Sequence, residues 1–291
     1  MGYITIKNFR YPKLLSEISD PPFVLYVRGK KTSVPLDMEK TIAVVGTRKI
    51  TPYGKMATEK IVTSLVRYGF TIVSGMAYGV DAVAHKTAMS CGGKTVAVLG
   101  CGVDIIAPPS NRDIYEEIIS GRGAVVSEMP LSLRPGKGLF PARNRIISGM
   151  SLGVVVVEGA QDSGSLITAR CASEQGRDVF AVPGPITSPY SRATASLIKN
   201  GAKLVESAED IIDEFGMDKL PKPTASLETV LSKTKNVIEQ KIIRVIFGRS
   251  MTPDQIVREL ESEVKIICPA LTMLELNGVV DKLSDGQYVL R

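Results

Sequence analysis

The chain has 291 residues, 44% hydrophobic and 23% charged, with a formal net charge of +6 and no tryptophan. That length accommodates one large domain and a small one, and the basic balance favours polyanionic partners. No apolar run approaches the ~20 residues that cross a bilayer, the start has no secretory pattern, and four scattered cysteines with a single histidine exclude a Cys/His zinc site.

Residues 1–40, with Pro12, Pro21, Pro22 and Pro35, are expected to form an extended lead-in along the main domain. From Thr41 the pattern alternates. Short β-branched runs at 42–45, 71–73, 95–99, 124–126, 154–157 and 179–182 read as strands buried on both faces. Amphipathic segments at 53–68, 80–90, 112–120, 143–150, 165–175, 194–200 and 207–215 read as helices. The alternation predicts an α/β fold over 41–216: an extended Rossmann-like, doubly wound and mainly parallel sheet whose ligand site lies at the carboxyl ends of the strands.

Residues 217–235, with Pro221 and Pro223, read as a linker. Residues 236–291 form a small unit. A helix covers 236–247, and Thr252, Pro253 and Gln255 fit a capping box that opens a second. A third covers 266–276 and stops at Asn277-Gly278. Strands at 279–283 and 287–290 flank Ser284-Asp285-Gly286, a hairpin signal. Three helices and a hairpin predict a winged helix. From Asn236 onward seven basic side chains face eight acidic ones, so the positive excess belongs to the main domain.

The turns after the strands carry the chemistry. Gly46-Thr47-Arg48 leaves the first strand, and Arg48 reads either as a phosphate ligand or as a solvated turn residue. Ser74 and Gly75 follow the second strand, where a dinucleotide enzyme would carry an acid. Asp81 and His85, four apart on one helix face, read as a structural pair or a proton relay. A loop with Arg134, Lys137 and Phe140 leads to Arg143-Asn144-Arg145. Of those two arginines one is expected to face a phosphate and the other to pair with Glu128 or Glu158. Phe140 is either a base-stacking ring or a core residue. Ser163-Gly164-Ser165, with Thr168 and Arg170 one turn in, is the best anion site, because small residues at a helix start let a phosphate approach. Gly184 shapes the rim and Lys199 adds charge. No motif specifies a metal or a cofactor.

The ordered segments Gly46–Arg48, Ser74–His85, Phe140–Arg145, Ser163–Arg170 and Val182–Gly184 together resemble the bacterial DNA-processing protein A family, DprA/Smf, over about residues 11–215. The resemblance implies a cytoplasmic protein that binds single-stranded DNA, protects incoming strands during natural transformation and loads the RecA recombinase onto them. It also implies a homodimer formed through the Rossmann-like domain. The family's Gly-x-Arg motif falls on Gly46 and Arg48, its Arg-Asn-Arg motif on 143–145 and its Gly-Ser motif on Gly164 and Ser165. Ala107-Pro108 replaces a frequent Tyr-Pro pair, and Ala193 and Ala195 stand where Gly and Asn are expected. The start near Tyr11-Pro12 sets the expectation that the extra N-terminal helical domain of longer members is absent.

The competing reading is a nucleotide hydrolase, since the fold resembles a wider group that includes nucleotide phosphoribohydrolases. Those carry a glutamate in the helix after the Gly-rich turn, whereas here that helix offers Thr168 and Arg170, with Glu174 further in. The expectation is binding without catalysis. The winged helix, whose third helix carries Lys265 and Glu275 but no run of arginines, is expected to contact protein more than DNA.

Overall fold

The computed structural model describes residues 2–30, 40–136, 138–217, 227–234, 236–283 and 285–290. Pro35, Lys137, most of the linker including Pro221 and Pro223, and Ser284 lie outside them. Contacts divide the chain into two units, Met1–Val66 with Phe70–Asp210 and Arg67–Gly69 with Ile211–Arg291.

In chain order the elements up to the boundary are β1 (Gly2–Thr5), α1 (Lys13–Ser16), β2 (Val24–Arg28), β3 (Thr41–Val45), α2 (Pro52–Arg67), β4 (Thr71–Ser74), α3 (Val80–Ser90), β5 (Thr95–Val98), α4 (Arg112–Glu117), β6 (Gly123–Ser127), α5 (Leu139–Gly149), β7 (Gly153–Val156), α6 (Ser165–Glu174), β8 (Asp178–Ala181), α7 (Arg192–Lys199), β9 (Lys203–Leu204) and α8 (Ala208–Glu214). Each strand read from the β-branched runs is present within one residue of its expected ends. Helix α5 starts four residues earlier than expected, at Leu139. Gly138, in the left-handed region at φ 87°, turns the chain into it, and Pro141 sits in the first turn, where its missing N–H costs nothing.

The lead-in is more ordered than an extended segment. Pro12, Pro21 and Pro22 flank structure instead of interrupting it, and Leu25 and Val27 alternate with half-buried neighbours as a strand requires. β1 pairs with β2 and β2 with β6, both antiparallel, whereas β3 to β9 are parallel. The nine-stranded order is β1-β2-β6-β5-β4-β3-β7-β8-β9. From β3 the chain winds one way through β4, β5 and β6, then returns to β7 on the other side of β3. The ends of β3 and β7 are therefore the topological switch point, where an open α/β sheet leaves a crevice. One sheet face packs Ala43, Val45, Val96 and Val98 against Ile146 and Ile147 of α5 and Ala169 and Ala172 of α6. The opposite face packs Ala97, Leu99 and Val125 against Met89, Ile114 and Tyr115.

The second unit has α9 (Leu227–Leu231), α10 (Val237–Ile246), α11 (Pro253–Glu259), α12 (Val264–Leu276), β10 (Val280–Lys282) and β11 (Tyr288–Leu290). The Thr252–Gln255 capping box forms in both directions. The two strands pair antiparallel as a wing, over a core of Ile242, Ile246, Ile256, Ile267, Leu271 and Leu274. This is the winged-helix arrangement.

One buried polar network fixes the strand ends of the large unit. Arg143 of α5 donates through Nη1 to the carbonyls of Gly75 and Val98, the latter at 2.7 Å, and through Nε to Asn144 Oδ1 at 3.1 Å. Asn144 Nδ2 donates to Gly164 O at 3.3 Å. Asp81 Oδ2 accepts the N–H groups of Gly75 (3.1 Å) and Ala77 (3.3 Å). Burial pushes the Asp81 carboxyl up and the Arg143 guanidinium down, and in each case the charge of the other opposes the shift. Asp81 and His85 do not bond to each other. Thr95 Oγ1 gives its proton to Ile72 O (2.7 Å), so it accepts from His85 Nδ1 at 2.6 Å, which fixes the Nδ1–H tautomer. His85 Nε2 is buried without a hydrogen-bond partner among the described residues, and burial foremost lowers the His85 pKa from 6.5 to about 3.

Two outcomes follow for stability. Arg143→Leu leaves two carbonyls unsatisfied and removes the charge that opposes the burial of Asp81, and should lower unfolding free energy by roughly 3–5 kcal/mol, read as a fall in the urea midpoint. His85, neutral in the fold and titrating near 6.5 when unfolded, contributes stability that is present above pH 6.5 and is lost as pH falls toward 3, by up to ~1.4 kcal/mol per pH unit. Asp81, shifted upward, acts with the opposite sign, so the informative quantity is the difference between wild type and His85→Asn. Urea unfolding at pH 7 and pH 5 should show a smaller loss in the variant.

Candidate nucleic-acid interface

A cavity of about 620 Å³ opens at the switch point between β3 and β7. Its walls come from the turn after β3 (Gly46, Thr47, Arg48, Lys49), the start of α5 (Phe140, Arg143, Asn144) and the turn opening α6 (Ser163, Gly164, Ser165, Thr168). These segments lie far apart in the chain and meet only because the strand order brings β3 beside β7.

The β3 turn is held from behind. Thr47 N–H donates to Glu158 O at 2.7 Å and Thr47 O accepts from Val80 N–H at 3.2 Å. Thr47 Oγ1 accepts from Lys49 N–H at 3.1 Å, a local turn that Thr supports. A Cβ on Gly46 would strike Val80 and the Glu158 carbonyl, so Gly46 is required for packing. Glu158 does not pair with an arginine. Its carboxylate accepts from Thr51 N–H (3.0 Å) and Thr51 Oγ–H (2.6 Å), while Thr51 Oγ1 caps Gly54 N–H at the start of α2. With the turn so fixed, Arg48 and Lys49 stand exposed. The Arg48 guanidinium lies over the Phe140 ring at 5.4 Å from its centroid, a cation–π contact. Phe140 is thus a half-buried wall residue, not part of the core.

Across the cavity, Gly164 is the N-cap of α6, with Ser163 Oγ accepting the Ser165 N–H at 3.4 Å and the Ser163 carbonyl the Leu166 N–H at 3.0 Å. A Cβ added at Gly164 would meet nothing within 4 Å, so the cavity approaches bare backbone there. The Ser163 and Ser165 hydroxyls hydrogen-bond to each other at 2.8 Å. Small groups, hydroxyls and a helix start opposite two exposed cations make an anion-accepting wall.

Several residues read as phosphate ligands take other roles. Ser74 is buried and donates to Val44 O at 2.7 Å. Gly75 is the floor on which Arg143 rests, since a Cβ there would occupy the guanidinium's place. Arg143 reaches the cavity wall with most of its donors committed to carbonyls. Arg145, about 200° round the helix from Arg143, turns away and pairs with Glu128 at 2.7 Å and Asp20 at 3.2 Å. Arg170 is exposed on α6 outside the cavity lining, five residues past Ser165 and so on another face of the helix. Lys199 lies at the C-terminal end of α7, whereas the start of that helix, beside Tyr190, is the end nearest the cavity. Gly184 sits against Ser191, where a Cβ would collide with the hydroxyl.

Lys49, Asp162, Ile167 and Tyr190 also line the cavity and were not singled out as ligands from the sequence. Lys49 follows Arg48 directly and was legible there. The other three depend on which side of a turn faces inward. No group of three or more metal-binding side chains occurs among the described residues.

Residues 2–216 match the family model described as DNA recombination-mediator protein A. The chain is 42% identical over 220 residues to a Synechocystis protein named Smf, a match that covers 74% of this chain and 54% of that one. Among solved structures, DNA processing protein A (DprA) from Streptococcus pneumoniae superposes with a TM-score of 0.69 at 42% identity, covering 73% of each chain. DNA processing protein A from Helicobacter pylori, described for its single-stranded DNA binding mode, superposes at 0.65 with 32% identity, covering 73% of this chain and 95% of that one. The chain belongs to the DNA recombination-mediator protein A family.

Proposed function

We propose that this chain binds single-stranded DNA in the cavity between β3 and β7, protects incoming strands in natural transformation and delivers them to the RecA recombinase, acting as a homodimer through its Rossmann-like domain. The observation that carries the binding proposal is the pairing of exposed Arg48 and Lys49 with the bare Gly164 backbone across one cavity. Cations beside the exposed backbone and hydroxyls of a helix start suit phosphate, and the open face of the Phe140 ring, which carries Arg48 on the other, offers a stacking surface for a base. The H. pylori relative, described for single-strand binding, supports the same ligand class.

Binding without catalysis fits the placement of the glutamates. Glu128 is bound to Arg145 and Glu158 to Thr51, and Glu174 ends α6 away from its start. Incubation with nucleoside monophosphates should release no free base, and release would move the hydrolase reading to first place. On α12 the exposed side chains are mostly apolar, Val264, Ile266, Met273 and Leu276 among them. Such a surface suits protein contact better than reading a DNA groove, and Lys265→Ala should leave oligonucleotide affinity within about twofold.

Three measurements test the site. Labelled oligothymidine followed by fluorescence anisotropy should bind tightly, with affinity falling on a log–log salt plot by ~0.7 per phosphate neutralised, and matched duplex should bind less well. Arg48→Ala should weaken binding roughly tenfold and flatten that slope. Gly164→Ala should fold with an unchanged melting temperature yet bind weakly, because its methyl enters the cavity and nothing else. RecA loading is tested by whether the protein raises DNA-dependent ATP hydrolysis by RecA on strands already coated by a single-strand-binding protein. The dimer is tested by a solution mass twice the 31.3 kDa of the chain.

A further inference from the structure

The turn between β4 and α3 is held more firmly than a connection requires. Asp81 accepts two of its backbone N–H groups, and Asn111 Nδ2 donates to the carbonyls of Met76 (2.9 Å) and Ala77 (3.3 Å). Met76 is buried with φ at 60°, a left-handed conformation that costs about 1 kcal/mol or more outside glycine. Gly79, at φ 75°, lies against the backbone of Thr47 and Arg48, where a Cβ would collide. Between these fixed points stands Tyr78, 50% exposed. Its hydroxyl has no hydrogen bond and its ring no cation among the described residues. Ala77, one residue before it, lines the cavity. Gly79, one residue after it, packs against the Arg48 backbone, so Tyr78 is carried on a turn at the edge of the cavity, next to the Arg48 segment.

We propose that Tyr78 is a stacking platform for a base of the single strand, the one next to the nucleotide held in the cavity. The inference rests on the single-strand reading above and deepens it. A ring on a pinned turn loses little conformational freedom when a base settles on it, which is the condition for an affinity gain from one contact. Of the other rings at the site, Phe140 carries Arg48 on one face and Tyr190 lines the cavity itself, so a base lying next to the cavity has Tyr78 as the aromatic surface outside it. Stacking is tolerant of base identity because every base has a π-face, which matches a site without base-edge donors arranged in a row.

The absence of tryptophan gives a direct test. Tyr78→Trp creates the sole indole, whose emission reports contact with a base. Oligothymidine and an abasic strand of equal length are titrated into wild type, Tyr78→Trp and Tyr78→Ala, with anisotropy and emission read together. The expected result is quenching of Tyr78→Trp by oligothymidine but not by the abasic strand, and binding weakened roughly tenfold in Tyr78→Ala at an unchanged salt slope and melting temperature. Tight binding by all three proteins with no quenching overturns the platform and leaves the cavity reading intact. Failure of wild type to bind oligothymidine at low salt overturns both. A flattened salt slope in Tyr78→Ala would show that the residue acts through Arg48, and it would also refute stacking.

Discussion

The guanidinium of Arg143 is the constraint on which the site depends. It reaches from α5 to the carbonyl ends of β4 and β5, and through Asn144 it reaches the turn that opens α6. Carbonyls at strand ends lack further ladder partners, and a buried one without a donor is costly. One side chain therefore satisfies two strands and sets the distance to a third turn. Asp81 does the complementary work for the N–H groups of the turn after β4. The loops around the cavity are in this way braced by side chains that line it yet spend most of their donors and acceptors on the backbone. A preorganised wall of that kind places exposed cations without spending their charge on internal pairing.

Much of the fold was legible in the residues. Runs such as Thr41–Val45 and Gly153–Val156 are too short and too β-branched for anything but buried strands, and the intervening amphipathic stretches required crossovers. What the pattern lacked was strand order. The crevice lies between β3 and β7 because the winding reverses there, and no local signal marks a reversal. The lead-in was missed for a related reason. Its prolines suggested irregularity, while the alternation of Leu25 and Val27 was masked by its brevity.

The candidate site was read in its parts and misassigned in some roles. A glycine that admits a phosphate and a glycine that admits a neighbouring side chain look the same in sequence. Gly164 faces open space, Gly75 lies beneath Arg143 and Gly46 against Val80. Only packing distinguishes them. The two arginines of the Arg-Asn-Arg segment diverge because residues two apart on a helix point apart, and the partner that claims Arg145 includes Asp20, from a distant part of the chain. The Asp81–His85 spacing was compatible with a pair, yet each had a better partner within reach, backbone amides for one and Thr95 for the other.

The resting position of Arg48 has a kinetic consequence. Many surface arginines wait on a carboxylate, and a ligand must first break that ion pair. Arg48 waits on the ring of Phe140, a contact that uses the guanidinium's charge and not a carboxylate. On the proposed function, an incoming phosphate finds no carboxylate to displace at Arg48 among the described residues, so its encounter is expected to follow diffusion and long-range attraction. Under that function, discrimination among strands falls to how long each remains after arrival.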